Sequence, residues 1–375
     1  MERVDVLVVG AGPAGSATAL HLARGGASVL LADRARFPRD KPCGGGITGR
    51  ALRHAPCSVE PVVEDVVYTF ELRLGYGRSF TRRSERPLVL MTQRRRLDEH
   101  LAQEAVAAGA RFVEGARVED VAAENGHVTA RVRGRRVQAS VVVGADGANG
   151  VVAKTACLGD DIVRGVALEG NVDWECLDER RCRGRALFDV GVVPGGYGWI
   201  FPKREHANIG VGGWGAEGPT LRGHLARLAA SYGLPLTSVS DVKGHRLPTR
   251  RPGGRVSAGR ILLVGDAAGL VDPLSGDGIY EAFVSGRLAA RAILSGDLAS
   301  YQAALEAELD SHLHASWVAK HALDRHPAAC FWIARVPWVF EVVAGLLRGE
   351  LQHPSDAVGL ATPLLRVVAR LGHRG

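Results

Sequence analysis

Apolar runs of strand length alternate with stretches of helical spacing through the first third of the chain, and the alternation returns near residue 260. Val4 to Val9 has the pattern of a buried strand, followed by the glycines of GAGPAG and by SATALHLARGG, whose apolar residues share one helical face. SVLLAD, residues 28–33, is a second apolar run that ends in an acid, so the first 33 residues predict a βαβ unit. The spacing of Leu97, Leu101 and Ala105 predicts a helix over 94–109, with Gly109 as its stop. Three strands are expected next, ARVEDVAAE, HVTARVR and VQASVVVGAD, with turns at Asn125-Gly126 and Gly134-Arg135. RILLVGD at 260–266 predicts a further strand, and a helix is expected from Gly278 to Leu294.

Residues 160–250 break this rhythm. Their segments ALFDVGVVP, GWIFPK and ANIGVGGW read as strands of an inserted mixed sheet, and the chain from Tyr301 onward reads as helical with a polar, basic end. At 375 residues with 46% apolar content, the chain can fill a sizeable core, which excludes a disordered protein. The formal charge of +7 suits an anionic ligand or a membrane surface. Its arginines cluster without interleaved aromatics (Arg94, Arg95 and Arg96; Arg180, Arg181, Arg183 and Arg185), so a nucleic-acid partner is not expected.

Six cysteines form no CxxC pair and no secretory segment precedes them, so a reduced, cytoplasmic compartment is expected. Residues 328–347 come nearest to a membrane span, but Arg335, Pro337 and Glu341 interrupt them. They predict an apolar helix pair covering a pocket or lying on a membrane, which allows membrane association.

Gly10, Gly12 and Gly15 form G-x-G-x-x-G between a strand and a helix. The first permits a tight turn, the second lets the backbone approach a pyrophosphate, and the third lets helix and strand pack closely. Asp33, at the end of the second strand, is placed to accept hydrogen bonds from a ribose diol. Two further motifs, GADG at 144–147 and GDAAGLVDPLSGDGI at 265–279, each end an apolar strand with an acid. FAD, unlike NAD, has a ribitol chain and a flavin ring; Asp266 and the Gly276–Gly278 segment supply a second acid and a glycine-lined surface for them.

Together GAGPAG, Arg94 in RRRLD, GADG and GDAAGLVDPLSGDGI resemble the framework of the p-hydroxybenzoate hydroxylase-like flavoproteins over most of residues 1–295. Within that superfamily, FPRDKPCGGG, YGWIFPK at 197–203 and PLSGDGIYEA resemble the geranylgeranyl reductase branch. The resemblance implies an α/β fold of the p-hydroxybenzoate hydroxylase type, with a Rossmann-type FAD domain from residues 1–65, 92–160 and 251–300. A mixed-sheet substrate domain would comprise 66–91 and 161–250, and a C-terminal helical region 301–375. It assigns Gly10, Gly12 and Gly15 to the pyrophosphate, Asp33 to the adenosine ribose, Arg94 to the phosphate or ribityl region, and Asp266 to the ribitol or pyrophosphate. Asp33 stands where the family more often has Glu, one methylene longer. Pro273, Gly276 and Gly278 would pass close to the flavin ring, and Pro13, Ala14, Arg34, Lys41, Cys43, Gly44, Gly45 and Ile279 complete the implied cofactor surface. Asp146 reads as structural.

In that family the PCGGG segment lies beside the flavin, so Cys43 is the candidate catalytic residue. Reduction of an isolated alkene needs hydride at one carbon and a proton at the other, and a thiol can donate or relay the proton. The alternative is a small buried hydrophobe. Lys41 beside it reads as a surface charge, or as a cation that lowers the thiol pKa. Tyr197, Trp199 and Phe201 alternate along a strand and so share one face, which is either the floor of an elongated apolar substrate tunnel or ordinary core. His312, His314, His321 and His326 lack the i, i+4 spacing of a helical ligand pair, and no metal is expected.

The resemblance implies a reductase that saturates double bonds of a prenyl or polyisoprenoid chain, a substrate that a membrane surface can present. The alternative on the same framework is an FAD monooxygenase acting on an aromatic or polyketide; YGWIFP departs at Tyr197 and Phe201 from the W-x-W-x-I-P pattern of flavin halogenases. A flavoprotein electron carrier is a third reading. No second complete G-x-G-x-x-G is present, so the electron donor is either NAD(P)H bound transiently at the flavin face or a reduced carrier protein.

Overall fold

The computed structural model describes residues 1–124, 126–159, 161–357 and 359–373. Strand β1 (Glu2–Val9) is followed by helix α1 (Pro13–Arg24) and strand β2 (Val29–Ala32), the βαβ unit that the apolar spacing predicts. Helix α2 (Arg94–Ala107) buries Leu97, Leu101 and Ala105 and ends before Gly109, whose φ of 109° suits a residue without Cβ. Strand β3 (Arg135–Gly144) lies beside β1 in parallel. The eight-stranded sheet that results has a parallel centre, and both its faces are covered. This double burial explains why β1 is apolar without alternation: Val6, Leu7 and Val8 have no solvent exposure.

Two antiparallel strands, Val118–Glu124 and His127–Val132, hang from β3. The expected turn at Asn125-Gly126 includes Asn125, which lies outside the described residues. The second turn is one residue earlier than expected. Arg133 and Gly134 both have positive φ, and Val132 pairs with Arg135, so β3 begins where the sequence placed the turn.

The insert is a seven-stranded sheet. Its strands include β4 (Ile162–Asp173), β5 (Tyr197–Pro202) and β6 (Ser240–Arg250), with His206–Trp214, Arg185–Val190, Thr69–Leu74 and Ser79–Arg83 completing it. All its neighbours are antiparallel except Thr69–Leu74 with Arg185–Val190. A small third sheet pairs Val89–Met91 with Asp65–Val67 and with Gly46–Thr48, so the residues that follow PCGG form a short strand.

Strand β7 (Ile261–Leu263) joins the parallel sheet beside β3 and leads through the 265–279 loop into helix α3 (Ile279–Leu294). Helix α4 (Ser300–Arg325) buries Tyr301 completely, and its hydroxyl donates to the Leu263 carbonyl at 2.6 Å. Burial of such a ring contributes roughly 2 kcal/mol or more, and the bond spares its hydroxyl an unpaired state. Helices α5 (Pro327–Ala334) and α6 (Pro337–Arg348) meet at 91°. Among the described residues no single helix is long and apolar enough to cross a membrane, and this bent pair is the one that reaches the required length and composition together.

Candidate functional site

One cavity of about 850 Å³ runs between the parallel sheet and the inserted sheet. At one end β1 delivers the chain to Gly10, whose φ of 101° closes the turn onto Ala145. Gly12 then caps α1, and a Cβ placed on it would meet only guanidinium nitrogens, Arg39 at 3.5 Å and Arg94 at 3.6 Å. The space above the helix N-terminus therefore faces two cations and unpaired backbone N–H groups, which suits a pyrophosphate. Gly15 does not line the cavity. Its Cβ would fall 1.8 Å from the Gly10 carbonyl oxygen, so this glycine closes helix onto strand, the packing role expected of the third glycine.

Asp33 uses one carboxylate oxygen to accept the Ala11 N–H and the other to accept the Ala35 N–H, each at 2.8 Å. It ties the glycine loop to the end of β2 and still borders the cavity, as do Pro13, Ala14 and Arg34. Arg94 is bidentate on Asp98, at 2.7 and 2.9 Å, and Arg39 reaches the same carboxylate at 2.9 Å. Burial opposes the Arg94 charge, but Asp98 outweighs it and raises the guanidinium pKa. Arg39 and Asp98 escaped the sequence reading. Asp98 stands four residues after Arg94 on a helix, which was a usable signal; Arg39 had none.

Farther along, Asp266 pairs with Lys41 at 2.9 Å and faces His245 at 3.7 Å. Burial pushes the Asp266 carboxyl up, yet Lys41 and His245 together hold it well below the usual carboxylate range. Lys41 is thus engaged with an acid 225 residues away and is no free surface charge. Pro273, Gly276, Gly278 and Ile279 form the adjoining wall. Gly276 has a φ of 69°, and a Cβ on Gly278 would sit 3.3 Å from Asp266 Oδ1. Asp146 accepts from the N–H groups of Val151 and Val152 at 2.6 and 3.1 Å, a structural cap at the start of a short helix.

Cys43, Gly44 and Gly45 cross the middle of the cavity. A Cβ on Gly44 would meet the Phe201 ring at 2.8 Å, and Gly45 has a φ of 66° with its N–H directed at Cys43 Sγ, 3.4 Å away. Glu169 on β4 accepts the Cys43 N–H at 2.6 Å, and Lys203 donates to the Gly44 carbonyl at 2.5 Å. Neither residue was singled out from sequence, because each meets the loop only through the fold. Burial pushes the Glu169 carboxyl up to about 7 and the Lys203 ammonium down to about 8.

The three aromatics of β5 do share a face, and it is the cavity wall. Trp199 stacks on Phe201 with ring centroids 6.1 Å apart, Tyr197 meets Trp199 edge-on at 6.0 Å, and Phe188 packs against both Tyr197 and Phe201. Asn208 fixes Trp199 by accepting its indole N–H at 2.8 Å, and the Tyr197 hydroxyl donates to the Ser275 carbonyl. Behind this wall His312 lies 3.4 Å from both Asp272 and Glu281, a grouping that histidine spacing alone could not reveal. These three groups have the spacing of a metal site. Arg50, a donor only, contacts His312 Nδ1 at 2.8 Å, so Nδ1 accepts and Nε2 bears the proton that points at the two carboxyl groups. In that tautomer Nε2 has no lone pair for an ion.

The fold is of the p-hydroxybenzoate hydroxylase-like type, and residues 3–166 match the family model described as FAD binding domain, which together with the relatives below shows an FAD-dependent oxidoreductase. The chain is 32% identical over 335 residues to geranylgeranyl diphosphate reductase, chloroplastic, of Oryza sativa subsp. japonica, covering 83% of this chain and 71% of that one. It is also 32% identical over 337 residues to menaquinone reductase of Mycolicibacterium smegmatis, covering 83% and 81%. A crystal structure of a geranylgeranyl bacteriochlorophyll reductase-like protein from Thermoplasma acidophilum superposes with a TM-score of 0.78 at 24% identity, over 100% of this chain and 97% of that one. The chain belongs to the geranylgeranyl reductase family of FAD-dependent oxidoreductases.

Proposed function

We propose that this protein saturates carbon–carbon double bonds of a polyisoprenoid chain, such as a geranylgeranyl group or the side chain of a prenylated quinone. The observation that supports this most directly is the continuity of one cavity: the β5 aromatics, Phe70 and Met91 border the same space as Cys43 and the glycine loops. An apolar chain threaded along the aromatic wall would bring a double bond to the cysteine loop without burying an unpaired polar group. The names of the relatives, one for a geranylgeranyl diphosphate and one for a quinone, point to prenylated substrates.

In this reading Gly10, Gly12, Pro13, Ala14 and Arg94 hold the pyrophosphate, with Arg39 as an added cation, while Asp33 and Arg34 border the adenosine ribose. Asp266 and Lys41 would hold the ribitol, and Pro273, Gly276, Gly278, Ile279, Gly44 and Gly45 would border the ring. The nucleotide half is built from 1–65, 92–160 and 251–300, and the substrate half from 66–91 and 161–250. Bound FAD, once reduced by NAD(P)H or a carrier protein, supplies hydride. The chain supplies the rest. Tyr197, Trp199 and Phe201 orient the alkene and exclude water, and Cys43 Sγ supplies the proton to the carbon that does not take hydride. Helices α5 and α6, with Trp332 and Trp338 exposed, provide contact with the membrane from which such a substrate would enter.

The test is anaerobic. Protein reduced with dithionite is mixed with geranylgeranyl diphosphate, flavin reoxidation is followed, and the product is weighed. The expected result is reoxidation with a gain of two hydrogens for each bond saturated. Cys43→Ala and Cys43→Ser should keep FAD and lose turnover. A reduced flavin that ignores every prenyl compound and reacts only with oxygen, giving an oxygenated product from an aromatic substrate, would replace this reading with a monooxygenase.

A further inference from the structure

Lys203 ends the YGWIFPK segment and is 2% exposed, a cation that the fold has enclosed at considerable desolvation cost. Its Nζ donates to the Gly44 carbonyl at 2.5 Å and the Thr92 carbonyl at 2.8 Å. Two carbonyls satisfy two of its three donors but leave its charge uncancelled. On the far side of the same loop Glu169 accepts the Cys43 N–H at 2.6 Å, so the cysteine is gripped from both flanks by ionisable side chains.

Other charges surround Cys43 as well. Lys41 is engaged by Asp266, Arg94 is bidentate on Asp98, and Asp40 pairs with Lys243. Tyr197 from β5, His245 from β6, and Asp266, Asp272 and Asp277 from the 265–279 loop border the same cavity. Glu64 and Asp65 approach Lys203 from the third sheet, where Arg96 and Arg183 already pair with them. Among these cations Lys203 is the one whose hydrogen bonds go to neutral carbonyls of the cysteine loop and its neighbour. Burial pushes its pKa down to about 8, while the acidic groups around it, Cys43, Glu64, Glu169 and Asp65, pull the other way.

We propose that Lys203 is a positioning residue for Cys43: it fixes the loop through Gly44 and balances the negative charge left on Sγ when the thiol gives up its proton. The proposal rests on the proposed reduction for its chemical setting. There the alkene takes hydride at one carbon, with two electrons drawn from reduced flavin, and the thiol proton at the other. The S–H bond breaks as the C–H bond forms, the charge stays on sulfur, and water later returns the proton.

The experiment needs no substrate, so its outcome is independent of whether prenyl compounds are reduced. FAD-loaded protein is alkylated with iodoacetamide across the neutral and alkaline pH range, and modification of the peptide bearing Cys43 is measured by mass spectrometry. Lys203→Met removes the cation and should move the midpoint of alkylation up by about one pH unit or more. Glu169→Gln keeps an acceptor for the Cys43 N–H but removes a neighbouring negative charge, so its midpoint should move down. Opposite shifts are the signature of electrostatic control; a merely structural grip would disturb both variants in the same direction. An unmoved midpoint in Lys203→Met, or shifts of the same sign, would overturn the proposal. If Lys203→Met does not fold, Glu169→Gln decides alone, and a midpoint that stays or rises refutes it.

Discussion

Glu169 is a carboxyl whose environment favours the protonated form. Burial raises it from 4.5 to about 7, although the Cys43 N–H and Lys203 pull the other way. The native state therefore keeps a proton that the unfolded chain releases between those two pH values. Stability contributed by this proton is present below the window and is lost as pH rises through it, by on the order of 3 kcal/mol in total. Glu169→Gln cannot titrate, so the variant should lose less stability than the parent between acid and alkaline sides of the window. Thermal melts on each side measure this; equal losses in the two proteins would show that the carboxyl is not raised. Asp277, which burial also raises, adds the same trend to both proteins and cancels in the comparison. At this scale Cys43 was legible because proline and three glycines isolate it in sequence, whereas Glu169 and Lys203 stand 126 and 160 residues away. Only strand pairing in the insert brings them to the loop.

The glycine loop and α1 separate two roles that one motif combines. A methyl on Gly12 would enter open space before two guanidinium groups, while a methyl on Gly15 would collide with the Gly10 carbonyl. Gly12→Ala should thus give a folded protein with little or no bound FAD, read by its visible spectrum and an unaltered circular dichroism. Gly15→Ala should lose the fold itself or a large part of its thermal stability. If Gly12→Ala bound FAD normally, the pyrophosphate would not lie at this helix N-terminus. The elements around this loop were legible because each satisfies its own period: β1 and β2 as buried runs, α2 and α3 as helices closed by glycines or caps. The turn at Arg133-Gly134 was displaced by one residue because arginine gave no sign that it would adopt positive φ. Gly46–Thr48 was missed because its pairing partner, Val89–Met91, is distant in sequence and each strand is only three residues long.

At the scale of the whole molecule, two sheets enclose the cavity and the bent pair α5 and α6 lies against its edge. Val343 and Leu347 of α6 line the cavity, while Val343 is also 37% exposed, so this helix is part of the wall and part of the outer surface. Trp332 and Trp338, on the two arms of the bend, are 43% and 54% exposed. Arg78 and Arg335 lie over the Trp332 ring at 5.9 and 5.2 Å, and Arg82 donates to the Arg335 carbonyl. An exposed indole flanked by guanidinium groups, with a second exposed indole on the other arm, suits the interface of an anionic bilayer, where the rings enter the headgroup level and each nearby cation contributes about 1 kcal/mol. The proposed route for a polyisoprenoid would pass from that interface along α6 into the cavity. Replacing both Trp332 and Trp338 by Ser should weaken cosedimentation with anionic vesicles by about tenfold, on the order of 1.4 kcal/mol. Turnover of a short, freely dissolved prenyl substrate should stay near the parent's, because neither indole borders the cavity. Equal vesicle binding by parent and variant would remove the bent pair from the membrane contact and require the substrate to enter elsewhere.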